Sequence, residues 1–285
     1  MSQVSLSAGI RDTLLTIQQT TRLATRSEQR LSTGLKVNSA IDNALAFFTA
    51  AGLRDRAGDL AGLQDRMQQA TRTVKAANDG IEGMRKLFET AQGLANQALA
   101  EQNSTTRQAL AQQFNEILTQ VDTLMRSSGY GGVNLLEGQT LNVSFDPNNT
   151  AATLSIRGNN GTSMTATNIG VAAVDTNSWT NAAGTGGDTT GNVAIQQALT
   201  QLSTGISNLR AEASRLGANN TVIQTRQEFT ERMIATLRSG ADDWTLADLN
   251  EEGAKLTSLN TRNQIAQTAL ALAAQRDQSV LRLFS

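Results

Sequence analysis

The acidic side chains of one short segment are the residues best placed to do chemistry. Their spacing between positions 242 and 252 could bring several carboxylates around a hard cation. Apolar residues alternate with them, and acids at the start of a helix also favour its positive N-terminal end. The segment therefore favours a capped, solvated helix start over a metal site. The acids are Asp242, Asp243, Asp248, Glu251 and Glu252, and the apolar residues are Trp244, Leu246 and Leu249.

Other catalytic chemistry is excluded by the residue types. The chain has no His and no Cys, so Ser-His-Asp and Cys-His sites, imidazole or thiolate metal sites and disulfides are impossible. The run Gly184-Thr185-Gly186-Gly187 lacks the Lys of a phosphate-binding loop. An enzyme that uses carboxylates is the remaining catalytic alternative, but it would need a polar pocket. We expect no catalytic residue, no cofactor, no metal and no enzyme activity.

Composition also limits the partners. The 285 residues carry 24 Lys plus Arg and 25 Asp plus Glu, a net charge of -1, which gives no bulk attraction for nucleic acid or for an anionic membrane surface. No run approaches the roughly 18 apolar residues of a membrane span. The first thirty residues contain no apolar signal-peptide core. We therefore expect no nucleic-acid partner, no membrane partner and no cleaved signal peptide.

The elements that must position these residues are long helices. Apolar residues recur at alternating steps of three and four, a heptad seam, from Leu60 to Ala98, then from Leu110 to Leu124, and again from Ile195 to Leu237. Such seams bury their apolar side by packing against one another. The chain is therefore predicted to be mainly α, an elongated antiparallel helical bundle. The first seam comprises Leu60, Leu63, Met67, Ala70, Val74, Ala77, Ile81, Met84, Phe88, Ala91, Ala95 and Ala98.

Both ends of the sequence carry a further seam. Polar residues interrupt each of them, namely Thr21 and Glu28 at the front and Asn263 and Asp277 at the back. Two such helices could pair within one molecule, but that pair would be marginal alone, so we expect packing between subunits to complete them. The predicted packing residues are Ile10, Leu14, Ile17, Leu31, Leu256, Leu259, Leu270, Val280 and Phe284.

The middle of the sequence has a period of two. Alternating residues from Leu141 to Phe145 and from Ala152 to Ile156 flank the only proline, Pro147, a pattern that predicts a β-hairpin. Its apolar face, which includes Phe145 and Ile156, should cover the long helices. Residues 158–191 are rich in Gly, Asn and Thr and have no period. We expect them to form a short irregular surface excursion that buries little area.

Several segments resemble bacterial flagellins. RLSTGLKVNSAIDNA at residues 30–44 is similar to that family's N-terminal signature, and AANDGIEGM at 76–84 and YGGVNLLEG at 130–138 follow in the family's order. LGANNTVIQTRQEF at 216–229 and QIAQTALALAAQRDQSVLRLF at 264–284 resemble its C-terminal segments. The resemblance covers about residues 1–140 and 190–285. Ile41 and Phe47-Phe48 depart from the family pattern, so we expect the local connection to pack differently.

The resemblance implies a structural subunit that self-assembles into the flagellar filament for motility. It implies an extracellular protein, exported unfolded by the flagellar type III system, in a short form with little outer domain. The implied partners are further copies of itself, sibling flagellins, an export chaperone, and the filament cap and hook-junction proteins. The alternative is a hook-filament junction protein of the same architecture. The implied domains are an N-terminal inner-tube helix and spoke (1–44), outer helical segments (45–137 and 192–239), a hairpin and variable loop (138–191), and a C-terminal inner-tube helix (240–285).

Overall fold

The protein is mainly α-helical with one β-hairpin, which confirms the predicted fold class. The structure, a computed structural model, describes residues 8–147, 149, 151–180 and 190–283. Its helices are α1 (Ala8–Thr33), α2 (Ala44–Ala100), α3 (Ser104–Ser127), α4 (Thr190–Thr245) and α5 (Leu249–Leu283). Strands β1 (Thr140–Ser144) and β2 (Thr153–Arg157) and short 3-10 turns at Leu135–Glu137, Gly158–Gly161 and Thr176–Trp179 lie between α3 and α4.

The chain divides into two compact units. The first contains residues 1–57 and 235–285, and thus both terminal helices. The second contains residues 58–234. Helices α2 and α4 each contribute to both units, because the boundaries fall inside them.

The core of the second unit is built from the predicted heptad seams. All twelve positions from Leu60 to Ala98 are buried on α2, which confirms the predicted seam. On α3, Leu110, Phe114 and Val121 are buried in the same core. Helix α4 adds the predicted buried residues Ile195, Leu202, Ile206, Leu209, Leu216 and Ile223. The three and four residue spacing keeps these side chains on one side of each helix, where they exclude water.

The predicted hairpin is also present. Strand β1 pairs antiparallel with β2, with Leu141 opposite Ile156 and Val143 opposite Leu154. Val143 and Ile156 are buried in the helical core, while Leu141, Leu154 and Phe145 pack against it. A two-stranded hairpin is marginal alone, so this apolar face against the helices is what keeps it folded.

One side chain joins α3 to the hairpin. The buried Asn134 donates from Nδ2 to the carbonyl oxygens of Met125 at 2.9 Å and Arg126 at 3.0 Å. Its Oδ1 accepts from the backbone N–H of Leu136 at 3.0 Å. These bonds satisfy carbonyl groups at the end of α3 that have no partner inside the helix. They fix the direction in which the chain leaves the helix toward β1.

The prediction of a surface excursion is wrong for residues 158–180. Met164, Ile169, Val171 and Trp179 are all buried in the core of the second unit. Asn115 on α3 holds the segment by accepting from the backbone N–H of Val174 at 2.9 Å and donating to its carbonyl at 2.8 Å. An irregular segment can bury side chains without any sequence period when its backbone groups are satisfied by side chains in this way. The glycine-rich run 184–187 lies outside the described residues.

Candidate subunit-packing surfaces

In the first unit, helices α1 and α5 lie side by side and are joined by a buried carboxylate. Glu252 on α5 accepts a hydrogen bond from the Ser27 hydroxyl at 2.7 Å and one from the Arg30 guanidinium at 2.7 Å. The Ser27 hydrogen bond, followed by that of Arg30, lowers the pKa of Glu252. The carboxylate therefore stays ionised and fixes how α1 and α5 lie along each other.

The predicted polar interruptions meet across this pair. Asn263 Nδ2 of α5 reaches the Thr21 hydroxyl of α1 at 3.4 Å, whereas Glu28 is exposed. A single polar pair within an apolar seam costs stability but favours one register over its neighbours. The Thr21–Asn263 contact therefore supports the alignment that Glu252 sets.

The two connections of the first unit are also bonded together. The Lys36 N–H donates to the Thr245 carbonyl at 2.8 Å, and the Ala247 N–H donates to the Gly34 carbonyl at 2.9 Å. Arg54 of α2 donates to the Thr245 hydroxyl at 2.7 Å and to Asp242 at 3.3 Å. The α1–α2 and α4–α5 connections are thus paired like a short piece of sheet.

The acidic segment takes two roles here. Asp248 Oδ1 accepts from the N–H groups of Asn250 and Glu251 at 2.9 and 3.2 Å, which confirms the predicted helix cap. Glu252 contradicts the solvated prediction, because Ser27 and Arg30 on a distant part of the chain cover it. Among the residues that the structure describes, no group of acids is arranged to hold a metal ion.

The predicted packing residues of the terminal helices differ in burial. Ile10 and Leu259 are buried, and Leu14 is exposed. Ile17, Leu31, Leu256 and Leu270 are half-buried. The side chain of Val280 and the whole of Phe284 lie outside the described residues.

A second apolar stripe, which the sequence reasoning missed, is more exposed than the first. Ile265 and Leu272 of α5 are seven residues apart and are 63% and 57% exposed. Together with Thr268 and Ala269 they line a shallow groove. On α1, Leu15 and Leu23 are also exposed. A search that allowed two apolar stripes on one helix would have found them, because Ile265 and Leu272 keep the heptad spacing.

The two predicted hairpin residues differ in burial. Ile156 is fully buried. Phe145 is half-buried, and the Arg226 guanidinium of α4 lies over its ring at 5.3 Å from the ring centre. This cation-π contact fixes the Phe145 side chain at the edge of the core.

Two family models match this chain over most of its length. The bacterial flagellin N-terminal helical region matches residues 7–140, and the bacterial flagellin C-terminal helical region matches residues 193–284. The chain belongs to the bacterial flagellin family. The two matches leave residues 1–6, 141–192 and 285 outside a flagellin region, and residues 141–192 include nearly all of the hairpin and the irregular segment after it.

Individual flagellins align along the whole chain. Flagellins FljM and FljK of Caulobacter vibrioides are 27% and 25% identical, and a flagellin of Brucella melitensis is 24% identical. Each alignment covers 100% of this chain and 99% of the relative. A crystal structure of Bacillus cereus flagellin matches with a TM-score of 0.46 and 13% identity, over 58% of this chain and 88% of that one.

As a flagellin, the chain is a structural subunit that self-polymerises into the flagellar filament. Flagellins are secreted, and the filament is extracellular. The matched relatives are flagellins, so the hook-filament junction alternative gains no support from them. Among the described residues, no helix has the length and apolar character needed to cross a membrane.

Proposed function

We propose that α1 and α5 are the inner-tube helices of this flagellin, and that their exposed apolar stripes pack against the same helices of neighbouring copies. One observation carries the proposal. Ile265 and Leu272 remain in solvent in a subunit that self-assembles, and burying such side chains stabilises a contact by roughly 1.5 to 3 kcal/mol each. The half-buried Leu31, Leu256 and Leu270 would complete the same contact.

The proposal divides the chain as the resemblance implied. Residues 1–44 and 240–285 would form the inner tube and its connection. Residues 45–137 and 192–239, with the hairpin and loop at 138–191, would form the outer layer. Support comes from the burial pattern, since the residues of the second unit enclose a continuous core whereas α1 and α5 leave apolar stripes open.

Export as an unfolded chain through the flagellar type III system is part of the same proposal. The absence of Cys supports it, because no disulfide could block unfolding or refolding between compartments. An export chaperone, the filament cap and the hook-junction proteins would be its partners, and sibling flagellins could share its filament. No enzyme activity is proposed.

The inner-tube role is tested by Leu272→Asp in the full chain, with Gln267→Asp as the matched control on the same helix. Leu272 and Gln267 are both exposed in the subunit, so neither change should disturb the fold. Only Leu272→Asp should prevent polymerisation, because it would bury an unpaired charge between subunits. Sedimentation of the polymer measures how much of each variant polymerises. Equal polymerisation of the two variants would refute the inner-tube assignment.

The junction alternative is tested by location. Immunogold labelling of intact flagella with an antibody to this chain should decorate the full length of the filament. Labelling confined to the boundary between hook and filament would instead make the chain a junction protein.

A further inference from the structure

A polar groove lies between α4 and the segment that follows β2, within the second unit. Its volume of about 350 Å³ is in the range of small-molecule pockets. Helix α4 supplies one wall with Asn208, Glu212 and Arg215, and residues 159–169 supply the other. We call it the asparagine groove. Residues 159–169 lie outside both matched flagellin regions, so family membership does not account for this wall.

A buried carboxylate holds the two walls of the asparagine groove together. Glu212 Oε1 accepts from the backbone N–H of Asn159 at 3.1 Å, and Glu212 pairs with the Arg215 guanidinium at 2.7 Å. Arg215 in turn donates to the Arg157 carbonyl. These bonds join α4 to both sides of the turn at residues 158–161. A ligand would therefore meet groups that are already held in place, which lowers the ordering cost of binding.

The turn in the second wall has an unfavourable backbone conformation. Asn159 and Asn160 have φ angles of 41° and 54°, and they are the only non-glycine residues with positive φ that the structure describes. Asparagine tolerates this left-handed region better than most residues, but at a cost. Such conformations persist where the surroundings enforce them, and they cluster at ligand sites. Here the bond to Glu212 enforces the turn, which places two asparagines in the groove wall.

Two further asparagines of the groove present acceptors of fixed orientation. Asn168 Nδ2 donates to the Ser163 carbonyl at 2.8 Å, and Asn208 Nδ2 donates to the Ile169 carbonyl at 3.0 Å. Each bond commits the amide nitrogen to the protein and leaves Oδ1 without a donor among the described residues. The groove therefore offers hydrogen-bonding groups that a ligand can use.

The chemistry of the lining indicates the ligand. Glu212 and Arg215 neutralise each other, and none of the other described residues of the lining is charged, so an ion would find no unpaired partner. An amide group both donates and accepts hydrogen bonds, and so does a hydroxyl group. Amides around an apolar floor of Met164 and Ile169 match a ring that carries both hydroxyl and C–H groups. We propose that the asparagine groove binds a neutral saccharide, either free or as the end of a glycan chain.

The first test titrates the monomeric full chain with lactose, cellobiose and N,N′-diacetylchitobiose, while NMR follows the backbone amides. At least one sugar should give a saturable shift confined to residues 158–169 and 205–215, with a Kd on the order of 1 mM. No saturation by any of these sugars up to about 20 mM would overturn the proposal. Glucuronic acid and Ca²⁺ are the charged probes. A stronger response of the same amides to either of them than to every neutral sugar would also overturn it.

The second test separates a ligand role from a role in the turn alone. Asn160→Gly removes one amide but keeps the turn, because glycine adopts positive φ without strain. It should keep the unfolding temperature of the parent and weaken saccharide binding about fivefold, the effect of one lost hydrogen bond. Asn208→Ala should weaken binding by a similar factor. Gln224→Ala, which removes an exposed amide of α4 outside the groove, should change it by less than about twofold. Unchanged affinity in both groove variants would overturn the proposal.

Chain length distinguishes the two sources of the saccharide. If the groove holds the end of a glycan chain, longer oligosaccharides of the same sugar should bind at least as tightly as the disaccharide. If it holds a free sugar, affinity should fall as the chain lengthens. Either trend supports the proposal when Asn160→Gly weakens binding at every length, and a trend that Asn160→Gly leaves unchanged overturns it. All of these measurements use the monomer, so their outcome is independent of the inner-tube proposal.

Discussion

The rings of Phe114 on α3 and Trp179 pack against each other, with centres 5.2 Å apart and planes inclined by 56°. Both side chains are fully buried. Trp179 belongs to the segment that composition suggested was a surface excursion, so this contact makes that segment part of the core. The segment is consequently expected to be needed for a stable subunit.

Trp179→Ala should destabilise the subunit by roughly 3 to 5 kcal/mol, because it removes a buried ring and leaves a cavity. Trp179→Phe should cost much less, since it keeps an aromatic contact with Phe114 and removes an indole N–H that has no hydrogen-bond partner among the described residues. Urea unfolding of monomeric protein measures both. Ala173→Ser, a change at an exposed position of the same segment, is the control for a general effect of altering this part of the chain, and it should leave stability near that of the parent.

Glu252→Gln should lower the stability of the α1–α5 pair and reduce the dependence of that stability on pH. The folded-state pKa of Glu252 is lowered below its usual 4.5, so the ionised group stabilises the fold above that pH, and this stabilisation is lost as the pH falls through the folded value. Hydrogen exchange of α1 and α5 amides at pH 7 should be faster in the variant. The difference between the two proteins should shrink as the pH falls below 4.5 and disappear once the pH is below the folded-state pKa of Glu252. A parent–variant difference that stays constant from pH 7 to pH 3 would contradict an electrostatic role.

Truncation of the two hairpin residues, Phe145 and Ile156, is expected to cost different amounts of stability. Ile156→Ala should destabilise the subunit by roughly 2 to 5 kcal/mol because Ile156 is fully buried. Phe145→Ala should cost less, and its coupling to Arg226→Ala should be about 0.5 to 1 kcal/mol in a double-mutant cycle. Calorimetric unfolding of the four proteins in the cycle measures the coupling. If the stability losses of the two single changes add exactly, the cation-π contact does not contribute to stability.

Two glycines of α2 should respond oppositely to the same change. Gly93→Ala should stabilise the monomer by about 0.5 to 1 kcal/mol, because the added methyl group meets nothing within 4 Å and alanine favours a helix. Gly80→Ala should destabilise it, because the methyl group would collide with Ser128 and Leu136. Thermal unfolding reports both shifts. A Gly80→Ala protein as stable as Gly93→Ala would mean that α3 and the following turn can move aside freely.

The long helices were predictable because their signal is local and periodic. Every residue of the Leu60–Ala98 seam is buried, and period-two alternation located the hairpin as well. Residues 158–180 were misread because a segment held by side chains such as Asn115 and Asp122 carries no period of its own. Burial there depends on residues more than thirty positions away, which no local pattern encodes.

The surface features of the candidate site were harder to predict from the sequence than the long helices. Glu252 looked like a solvated acid because its partners, Ser27 and Arg30, are distant in sequence. The exposed stripe of Ile265 and Leu272 lies beside the predicted seam of the same helix, so the single seam that the heptad pattern indicates does not include it. Ile41 and Phe48 depart from the family pattern, but only the structure shows that their side chains are exposed to solvent.

The hydrogen bond between Ser27 and Glu252 joins positions 225 apart in the sequence. During synthesis the N-terminal helix emerges long before its partner exists, and closing so long a loop is slow compared with forming contacts inside residues 58–234. The terminal pair is therefore the last part of the subunit to form. Until α5 has been synthesised, α1 has no Glu252 to bond, so this helix stays without its partner.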